Sequence, residues 1–523
     1  MRVARPEAPS DSTSPPPGTG HARLLATGSL VQQGAQVTGL LTMFAILTVL
    51  ARRLSLEELG AYGLLASLAG YLLVVQNAAA SAAVREMAGA VDASARTRTF
   101  STAVAVYLGA GVVTGMTLAL IGLVLAGTVD LDPELERQAR LGAVLIGLVT
   151  AIGWPLTIYR DALRARQWFV RAATIEIAAL VVFASLVLSL AFADASLSLL
   201  IAASGTIPLL AGAGCAVAAR VMRLPFHFER ASITRDELRD LIGLAWYVSL
   251  QEAAGTIIYA LDRIILGVLR SATTVGLYEG PVRAHNVVRS LNGAVGVTVL
   301  PSASRYLAEG DQARLRELLV RGCRYTLALT VPITVTGMVL AAPILEAWLG
   351  TTYGAGAAAM TILLAYWLWN GSTGVISAIV VAGGRASTLA RYAWMVALGN
   401  LLLSIGLTAW LGLEGVAIGT TVPYAVVFPF VVRVVLSIVP VHAATLVREA
   451  FAPAYLLGLV LALALVLARL ALPIEGALAV AGTGALSIGA YWTCYYALWL
   501  APHERQLVKE VATAALPRRR PSV

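Results

Sequence analysis

Residues 259–293 read "YALDRIILGVLRSATTVGLYEGPVRAHNVVRSLNG" and form two mostly apolar stretches that hold several charged side chains. A charge at the centre of a helix in the bilayer costs about 2.5–3.5 kcal/mol on insertion scales. We therefore expect these side chains to face protein or water rather than lipid. They are Asp262, Arg263, Arg270, Glu279, Arg283 and Arg289.

The composition of the whole chain indicates a polytopic membrane protein. Of its 523 residues, 58% are hydrophobic and 13% are charged, whereas a soluble domain has about 25% charged residues. The net charge of +9 comes from arginines in short connectors rather than from a basic domain, which argues against a nucleic-acid partner. The sequence has neither a catalytic motif nor the spacing of metal ligands. It predicts a protein that is not an enzyme and needs no cofactor.

Fourteen apolar runs are long enough to cross a bilayer, which takes about 20 residues each. The fold class predicted is therefore an all-α membrane protein with about fourteen transmembrane helices. With the N-terminus inside, the inward loops hold 21 basic residues and the outward loops hold six. This excess of positive charge on the inner side predicts that both termini are cytoplasmic.

An internal repeat appears in the same order in the two halves of the chain. The segment "SLEELGAY" (55–62) is echoed by "SATTVGLY" (271–278), and "VTGM" occurs at 113–116 and again at 335–338. The shift between the copies corresponds to six helices, an even number, so both copies have the same orientation in the membrane. This predicts a parallel repeat of two six-helix bundles, related by an axis along the membrane normal.

The predicted domain organisation follows from the repeat and from the composition of the ends. The first segment is rich in Pro, Ser and Gly and cannot bury a core. The predicted segments are a disordered cytoplasmic tail (1–22), an N-terminal six-helix bundle (23–222), a cytoplasmic linker (223–240), a C-terminal six-helix bundle (241–438), two additional helices (439–500) and a basic cytoplasmic tail (501–523).

The charges of the seventh and eighth predicted helices lie on stripes. Glu252 and Arg263 stand at i and i+11 on one helix, and Glu279, Arg283 and Asn286 follow the spacing i, i+4, i+7 on the next, so each set shares a helix face. We expect these faces to line a cavity between the bundles. The candidate substrate-binding residues are Arg283, Arg289, Arg263, Asn286, Glu252, Glu279, Asp262, Gln32, Gln36 and Arg85.

Three alternatives remain open for these candidates. The charges of the two helices can pair with each other and only lock the helices together. Gln32 and Gln36 are equally suited to plain hydrogen bonds between helices, and Arg85 can be an anchor that reaches the membrane surface.

Glu252 and Arg289 lie equally far from the outer turn, about 24 Å deep at the helical rise, so we expect them to approach each other. Glu176 has no evident partner.

Three segments resemble a known family: "LDRIILGVLRSATTVGLY" (261–278), "LPSASRY" (300–306) and "VREMAG" (84–89). They are similar to the polysaccharide-exporter branch of the multidrug/oligosaccharidyl-lipid/polysaccharide superfamily, the O-antigen-type oligosaccharide flippases. The resemblance implies a cell-membrane flippase that moves a polyprenyl-pyrophosphate-linked oligosaccharide from the cytoplasmic to the outer leaflet. Its partners would be this lipid-linked substrate, membrane lipids, a polysaccharide polymerase and a coupling ion.

Other functions are compatible with parts of this pattern. A peptidoglycan-precursor flippase would share the fourteen helices and the cationic cavity. A multidrug or cation antiporter of the same superfamily is expected to have a cavity dominated by carboxylates, against the arginines found here. A glycan polymerase or ligase would need catalytic residues in a long outward loop, which the sequence lacks.

Overall fold

The computed structural model describes residues 19–90, 92–506 and 510, and these residues are helical or form short connections, with no strand. Within them, the side chains of residues 19–33, 35–36, 71–74, 247–248, 250–260, 294 and 297 are not described. The all-helical fold class is confirmed.

The first half of the chain contains eight helices, two of which continue after a break. They are α1 (Thr19–Arg53), α2 (Leu56–Gly89), α3 (Ala93–Thr128), α4 (Pro133–Leu156), α5 (Ile158–Ala165), α6 (Phe169–Phe192), α7 (Leu197–Ser204) and α8 (Ile207–Val221). A 3-10 turn at Arg230–Ser232 lies in the connection to the second half.

The second half contains α9 (Arg235–Ala260), α10 (Asp262–Leu269), α11 (Ala272–Glu309), α12 (Gln312–Val339), α13 (Ala341–Leu349), α14 (Ala357–Asn370), α15 (Thr373–Ala382), α16 (Ala386–Leu411) and α17 (Leu413–Leu436), with a 3-10 segment at Thr351–Gly356. The last helices are α18 (Ala443–Leu446), a π-helical turn (Val447–Phe451), α19 (Ala452–Ala471) and α20 (Ala477–Leu498). Below, the N-terminal half means α1–α8 and the C-terminal half means α9–α17.

Many of these helices are built to cross a membrane. By length and composition, nine spans among the described residues qualify, and two pairs bent by 48° and 42° raise the number to 11. The charged helices α9, α10 and α11 are not among them, although they coincide with predicted spans. The chain is a multi-pass membrane protein, and the exact count of fourteen spans stays a prediction.

Some boundaries differ from those predicted. Helix α1 begins at Thr19, inside the predicted tail 1–22, and α9 begins at Arg235, inside the predicted linker 223–240. Thr234 caps α9, because its side chain accepts a hydrogen bond from the backbone of Glu237. The predictions for residues 1–18, 507–509 and 511–523 lie outside the described residues.

The repeated serine and glycine of "SLEELGAY" and "SATTVGLY" have matching structural roles. Ser55 caps α2 and Ser271 caps α11, each accepting a hydrogen bond from a backbone N–H three residues later. A cap of this kind satisfies a backbone donor that the helix leaves without a partner.

The repeated glycines, Gly60 and Gly276, lie where α2 and α11 cross. A Cβ at Gly60 would overlap the carbonyl of Ala272, and a Cβ at Gly276 would overlap the carbonyl of Leu56. The two contacts exchange under the shift that relates the repeated segments, which is what a two-fold relation between α2 and α11 requires. We refer to this contact as the glycine crossing.

The two halves share a core at the end of the molecule where α2 and α11 begin, which we predict to be the outer end. Leu64 and Leu118 pack in one buried cluster with Leu266 and Val282. At the opposite end, apart from the start of α9, the two halves have separate buried clusters: one joins α2 to α5 and includes Leu241 of α9, and another joins the rest of the C-terminal half to the segment up to residue 450. The halves are therefore closed against each other at the predicted outer end.

Candidate functional site

The charged side chains of the opening segment sit on a hairpin made by α10 and α11. The preceding helix α9 stops at Ala260, and α10 starts at Asp262 after a break at Leu261. The consecutive residues Asp262 and Arg263 pair with Tyr278 and Glu279 of α11, which are also consecutive. The two pairs have different neighbours: the first contacts α17, and the second lies against α2.

Arg263, Glu279 and Arg283 form a group that we call the ion triad. The Nε of Arg263 lies 2.5 Å from Oε1 of Glu279, and its Nη2 lies 3.3 Å from Oε2. Arg283 is further away, with Nη2 3.7 Å from Oε2 of Glu279. The Glu279 carboxylate is buried against α2, since a Cβ at Gly63 would lie 2.6 Å from its Oε1.

The ion triad is not balanced internally, because two guanidinium groups share one carboxylate. Arg283 is half-buried, and its Nε is buried without a hydrogen-bond partner among the described residues. Arginine presents five N–H donors, so Arg283 retains capacity to donate to an anion. The triad leaves one positive charge available at the interface between the two halves.

Asp262 lies in a separate buried cluster of oxygen atoms, which we call the Asp262 cluster. Its carboxylate, 3% exposed, accepts hydrogen bonds from the hydroxyl of Tyr278 at 2.5 Å and from Thr420 at 3.2 Å. The amide of Asn400 donates to Thr420 at 3.0 Å. The Oδ1 of Asn400 and the Oγ of Ser404, one turn later on α16, are buried without a partner among the described residues.

The chemistry of the Asp262 cluster suits a small hard cation or a proton. One carboxylate with neutral oxygens offers a single negative charge, and oxygen ligands are those preferred by hard cations. The described residues contain no group of three or more His, Cys, Asp or Glu side chains that would hold a multivalent metal ion. The buried oxygen atoms of Asn400 and Ser404 could donate electron pairs to a small hard cation.

A second buried network lies in the N-terminal half, and we call it the inner cluster. Asp161 is fully buried and accepts hydrogen bonds from Tyr107 at 2.8 Å and from Arg160 at 3.0 Å. Glu176, predicted to have no evident partner, pairs with Arg164 at 2.7 Å and lies 3.8 Å from Arg160. That interpretation was wrong, because α5 and α6 pack face to face and bring these residues together.

The structure unites three of the predicted site residues and separates others from them. Arg263, Glu279 and Arg283 meet, as the locking alternative allowed, while Asp262 is directed to α17. Asn286 and Arg289 are half-buried further along α11. The side chains of Glu252, Gln32 and Gln36 are among those not described, so the approach of Glu252 to Arg289 stays a prediction.

Other polar residues of α2 and α11 differ in their exposure. His285 and Asn292 also belong to α11, and both are buried in the C-terminal half. His285 lies 3.0 Å from the carbonyl of Leu363, and Asn292 hydrogen-bonds Thr330. Arg85 is exposed at the end of α2 and has no ion pair with a described residue, which agrees with an anchor.

Sequence reasoning missed the partners supplied by distant segments. Thr420 and Asn400 lie on helices that come long after Asp262 in the chain, and Gly63 belongs to α2, far ahead of Glu279. A helix alone reveals which residues share its face, but it does not reveal which other helix covers that face. The repeated glycines of the two echoes were the only available signal for the interface.

The match to a family model covers part of this arrangement, and Asn400, Ser404 and Thr420 of the Asp262 cluster lie beyond it. The family described as polysaccharide biosynthesis protein matches residues 49–358, which include the glycine crossing and the ion triad. The chain belongs to this polysaccharide biosynthesis family. One curated relative of this chain is the probable low-salt glycan biosynthesis flippase Agl15 of Haloferax volcanii, and the two are 21% identical over 188 residues. That match spans 36% of this chain and 40% of the relative.

Solved structures show the same fold at low sequence identity. The lipid II flippase MurJ in an inward closed conformation has a TM-score of 0.70 and 15% identity, covering 92% of this polysaccharide biosynthesis protein and all of MurJ. An inward-facing multidrug resistance transporter of the MATE family has a TM-score of 0.60 and 15% identity, covering 79% of this chain and all of that one. The fold is that of membrane transporters.

Proposed function

We propose that this protein is a flippase for a polyprenyl-pyrophosphate-linked oligosaccharide, which it moves from the cytoplasmic to the outer leaflet of the cell membrane. The pyrophosphate and the sugars do not cross hydrocarbon unaided, whereas the prenyl chain can stay in lipid. A protein that alternates the access of a cationic site between its two halves needs to shelter only the polar head.

The observation that carries this proposal is the unsatisfied Arg283 at the interface of the two halves. Its nearest carboxylate is already bound by Arg263, and its Nε has no partner among the described residues. A guanidinium in this condition binds phosphate oxygens well, because its planar fork matches their geometry. Arg289, six residues further along α11, is proposed as a second cationic residue on the path of the anion.

The Asp262 cluster is the proposed site of the coupling ion. A cation or proton there would neutralise a carboxylate that accepts only hydroxyl hydrogen bonds from the described residues. Release of the cation to one side of the membrane would supply the free energy difference that a transport cycle requires. The site belongs entirely to the C-terminal half, so it can keep its geometry while the halves move.

The remaining partners are proposals of the same kind. The family membership favours a polysaccharide polymerase that consumes the flipped substrate on the outer face, and the excess of basic inner loops favours cytoplasmic termini. A peptidoglycan precursor carries the same pyrophosphate and would use the same arginine. The test therefore has to separate the two substrates by their sugars.

The deciding experiment measures flipping in proteoliposomes that contain either lipid-linked oligosaccharide or lipid II, with a membrane-impermeant enzyme that modifies only the exposed leaflet. We expect flipping of the oligosaccharide lipid. Arg283→Ala should lower the rate about 10- to 100-fold, because a hydrogen bond to a charged group contributes about 1.5–3 kcal/mol.

The matched control for this experiment is Arg305→Ala on the same helix. Arg305 is 61% exposed and pairs only loosely with Glu309 at 4.0 Å, so we expect the wild-type rate. Flipping of lipid II alone would assign the protein to the peptidoglycan precursor. Equal rates for Arg283→Ala and the wild-type protein would refute the role of Arg283.

A further inference from the structure

The contact between α2 and α11 combines a close approach of two backbones with a buried carboxylate. At the glycine crossing the two backbones meet without intervening side chains. One turn further along, the buried Glu279 of the ion triad lies against Gly63 of α2. Close backbone approach seals the interface against water, and small residues are what permits it between membrane helices.

The charges make this seal reversible. Burying an ion pair costs desolvation free energy that its attraction repays only partly. When the two halves separate, Glu279 and Arg283 are hydrated again. The free energy cost of opening is therefore smaller than it would be at a purely apolar contact. An interface with this balance lets a modest ligand-binding energy select between closed and open states.

The position of the contact argues against a merely structural role. The shared buried clusters lie at the predicted outer end, whereas the clusters at the other end are separate for the two halves, apart from the first part of α9. The glycine crossing lies within the shared region, between the ion triad and the ends where α2 and α11 begin.

We propose that the glycine crossing is the outer gate of the transporter, with Gly60 and Gly276 closing it and Glu279 of the ion triad lying against Gly63 one turn further in. This inference rests on the proposed function, since a gate has meaning only in a transport cycle. A Cβ at either glycine would hold α2 and α11 apart. It would therefore shift the protein toward the state that is open to the outside.

The test reads the gate directly and needs no substrate. Val282, buried in the shared cluster beside Arg283, is replaced by cysteine, and the exposed Cys494 is replaced by serine. Labelling by a membrane-impermeant maleimide is then measured from the outer face of intact cells. Gly60→Ala and Gly276→Ala should each raise the labelling rate about five-fold or more, the factor that corresponds to a small shift in free energy.

Two further kinds of variant are included, matched controls and a milder substitution. Gly109→Ala in α3 and Gly406→Ala in α16 serve as matched controls, because a Cβ at either position meets no atom within 4 Å, and they should label as the parent does. Gly63→Ala is the milder variant if the crossing glycines prevent folding, because its Cβ meets the carboxylate end of a flexible side chain. It should also raise labelling.

The outcomes separate the gate from the proposed function. Unchanged labelling in folded Gly60→Ala, Gly276→Ala and Gly63→Ala proteins, with a lowered melting temperature, would mean that the contact is static packing and would overturn the gate. Raised labelling in a protein that flips no lipid-linked oligosaccharide would leave the gate intact and refute the substrate instead.

Discussion

The inner cluster and the ion triad are both buried groups of arginines and carboxylates, but they occupy different places in the architecture. All members of the inner cluster come from α3, α5 and α6 of the N-terminal half, and two arginines meet two carboxylates there. The members of the ion triad all come from α10 and α11 of the C-terminal half, but they lie at its boundary, where two arginines share one carboxylate that packs against α2. The charges of the inner cluster are paired, whereas the ion triad contains a guanidinium donor, Nε of Arg283, without a partner among the described residues.

This difference shows how the same residue types serve two purposes. A network that is fully paired within one packing unit has no state in which it gains by opening, so it holds helices in place. A network at a boundary, with a guanidinium that is only partly paired, can exchange partners when the boundary opens or a ligand arrives. Burial and charge alone do not distinguish them; the position relative to the moving parts does.

The largest expected effect breaks the inner cluster. Asp161→Ala removes the carboxylate that Tyr107 and Arg160 contact, which leaves Arg160 and Arg164 to share Glu176. We expect a loss of about 3–5 kcal/mol in the free energy of unfolding, typical of one lost partner in a buried pair, measured by thermal unfolding in detergent. Asp194→Asn, at the exposed Arg53 pair, is the control and should change stability by about 0–1 kcal/mol, because asparagine tolerates the left-handed backbone of this position.

The second prediction contrasts one arginine from each network. Arg164→Ala should lower the free energy of unfolding by about 2 kcal/mol or more, because Glu176 is left buried with only a distant partner. Arg283→Ala should lower it by less than about 1 kcal/mol, because Arg263 still holds Glu279. Both values come from the same unfolding assay. Equal losses would contradict the distinction between a complete and an incomplete network.

The third prediction concerns the Asp262 cluster. Thr420→Val removes one hydroxyl from Asp262 and should cost about 1–2 kcal/mol, as buried hydrogen bonds between membrane helices do. In the wild-type protein we expect a monovalent cation to raise the melting temperature, and Thr420→Val should reduce that rise. Tyr107→Phe, which removes a hydroxyl from Asp161, is the matched control and should leave the cation response intact. No cation response in the wild-type protein would exclude a cation at this site.

The smallest effect is expected at the anchor of the last described segment. Glu504, after α20, pairs with Arg324 and Tyr325 of α12. Burial alone would raise the pKa of Glu504, but the hydrogen bonds from Tyr325 and the Ala501 N–H and the charges of Arg324 and Arg321 outweigh it and lower the pKa.

A lowered pKa in the folded state means that this contribution is present above the ordinary value of 4.5 and is lost as the pH falls through the folded value. Glu504→Gln should therefore be less stable than the wild-type protein by up to about 1 kcal/mol at neutral pH. The difference should shrink in acid, which unfolding at a series of pH values will show. A difference that grows in acid would contradict the assignment.

The features of the candidate site that could be predicted from the sequence were those that depend on a single helix. The spacing of Glu279 and Arg283 placed them on one face of α11, and the charge penalty in lipid required that face to be covered or wet. The same argument did not place Asp262 in its buried cluster, because a residue on a charged helix can point into its own bundle. It also left Glu176 without a partner, since Arg164 is brought to it only by the packing of α5 on α6.

The sequence by itself determined the membrane class, the helical fold, the family resemblance and the echo of serine and glycine, because hydropathy, helical period and capping are local properties of the chain. Only the tertiary structure decided that the echoed glycines touch each other's helix, that Arg263 and Arg283 share Glu279, and that Asp262 belongs to an oxygen cluster with Asn400 and Thr420. Most of those contacts join segments that are far apart along the chain. They depend on which helices pack together, and the pattern along one helix does not contain that information.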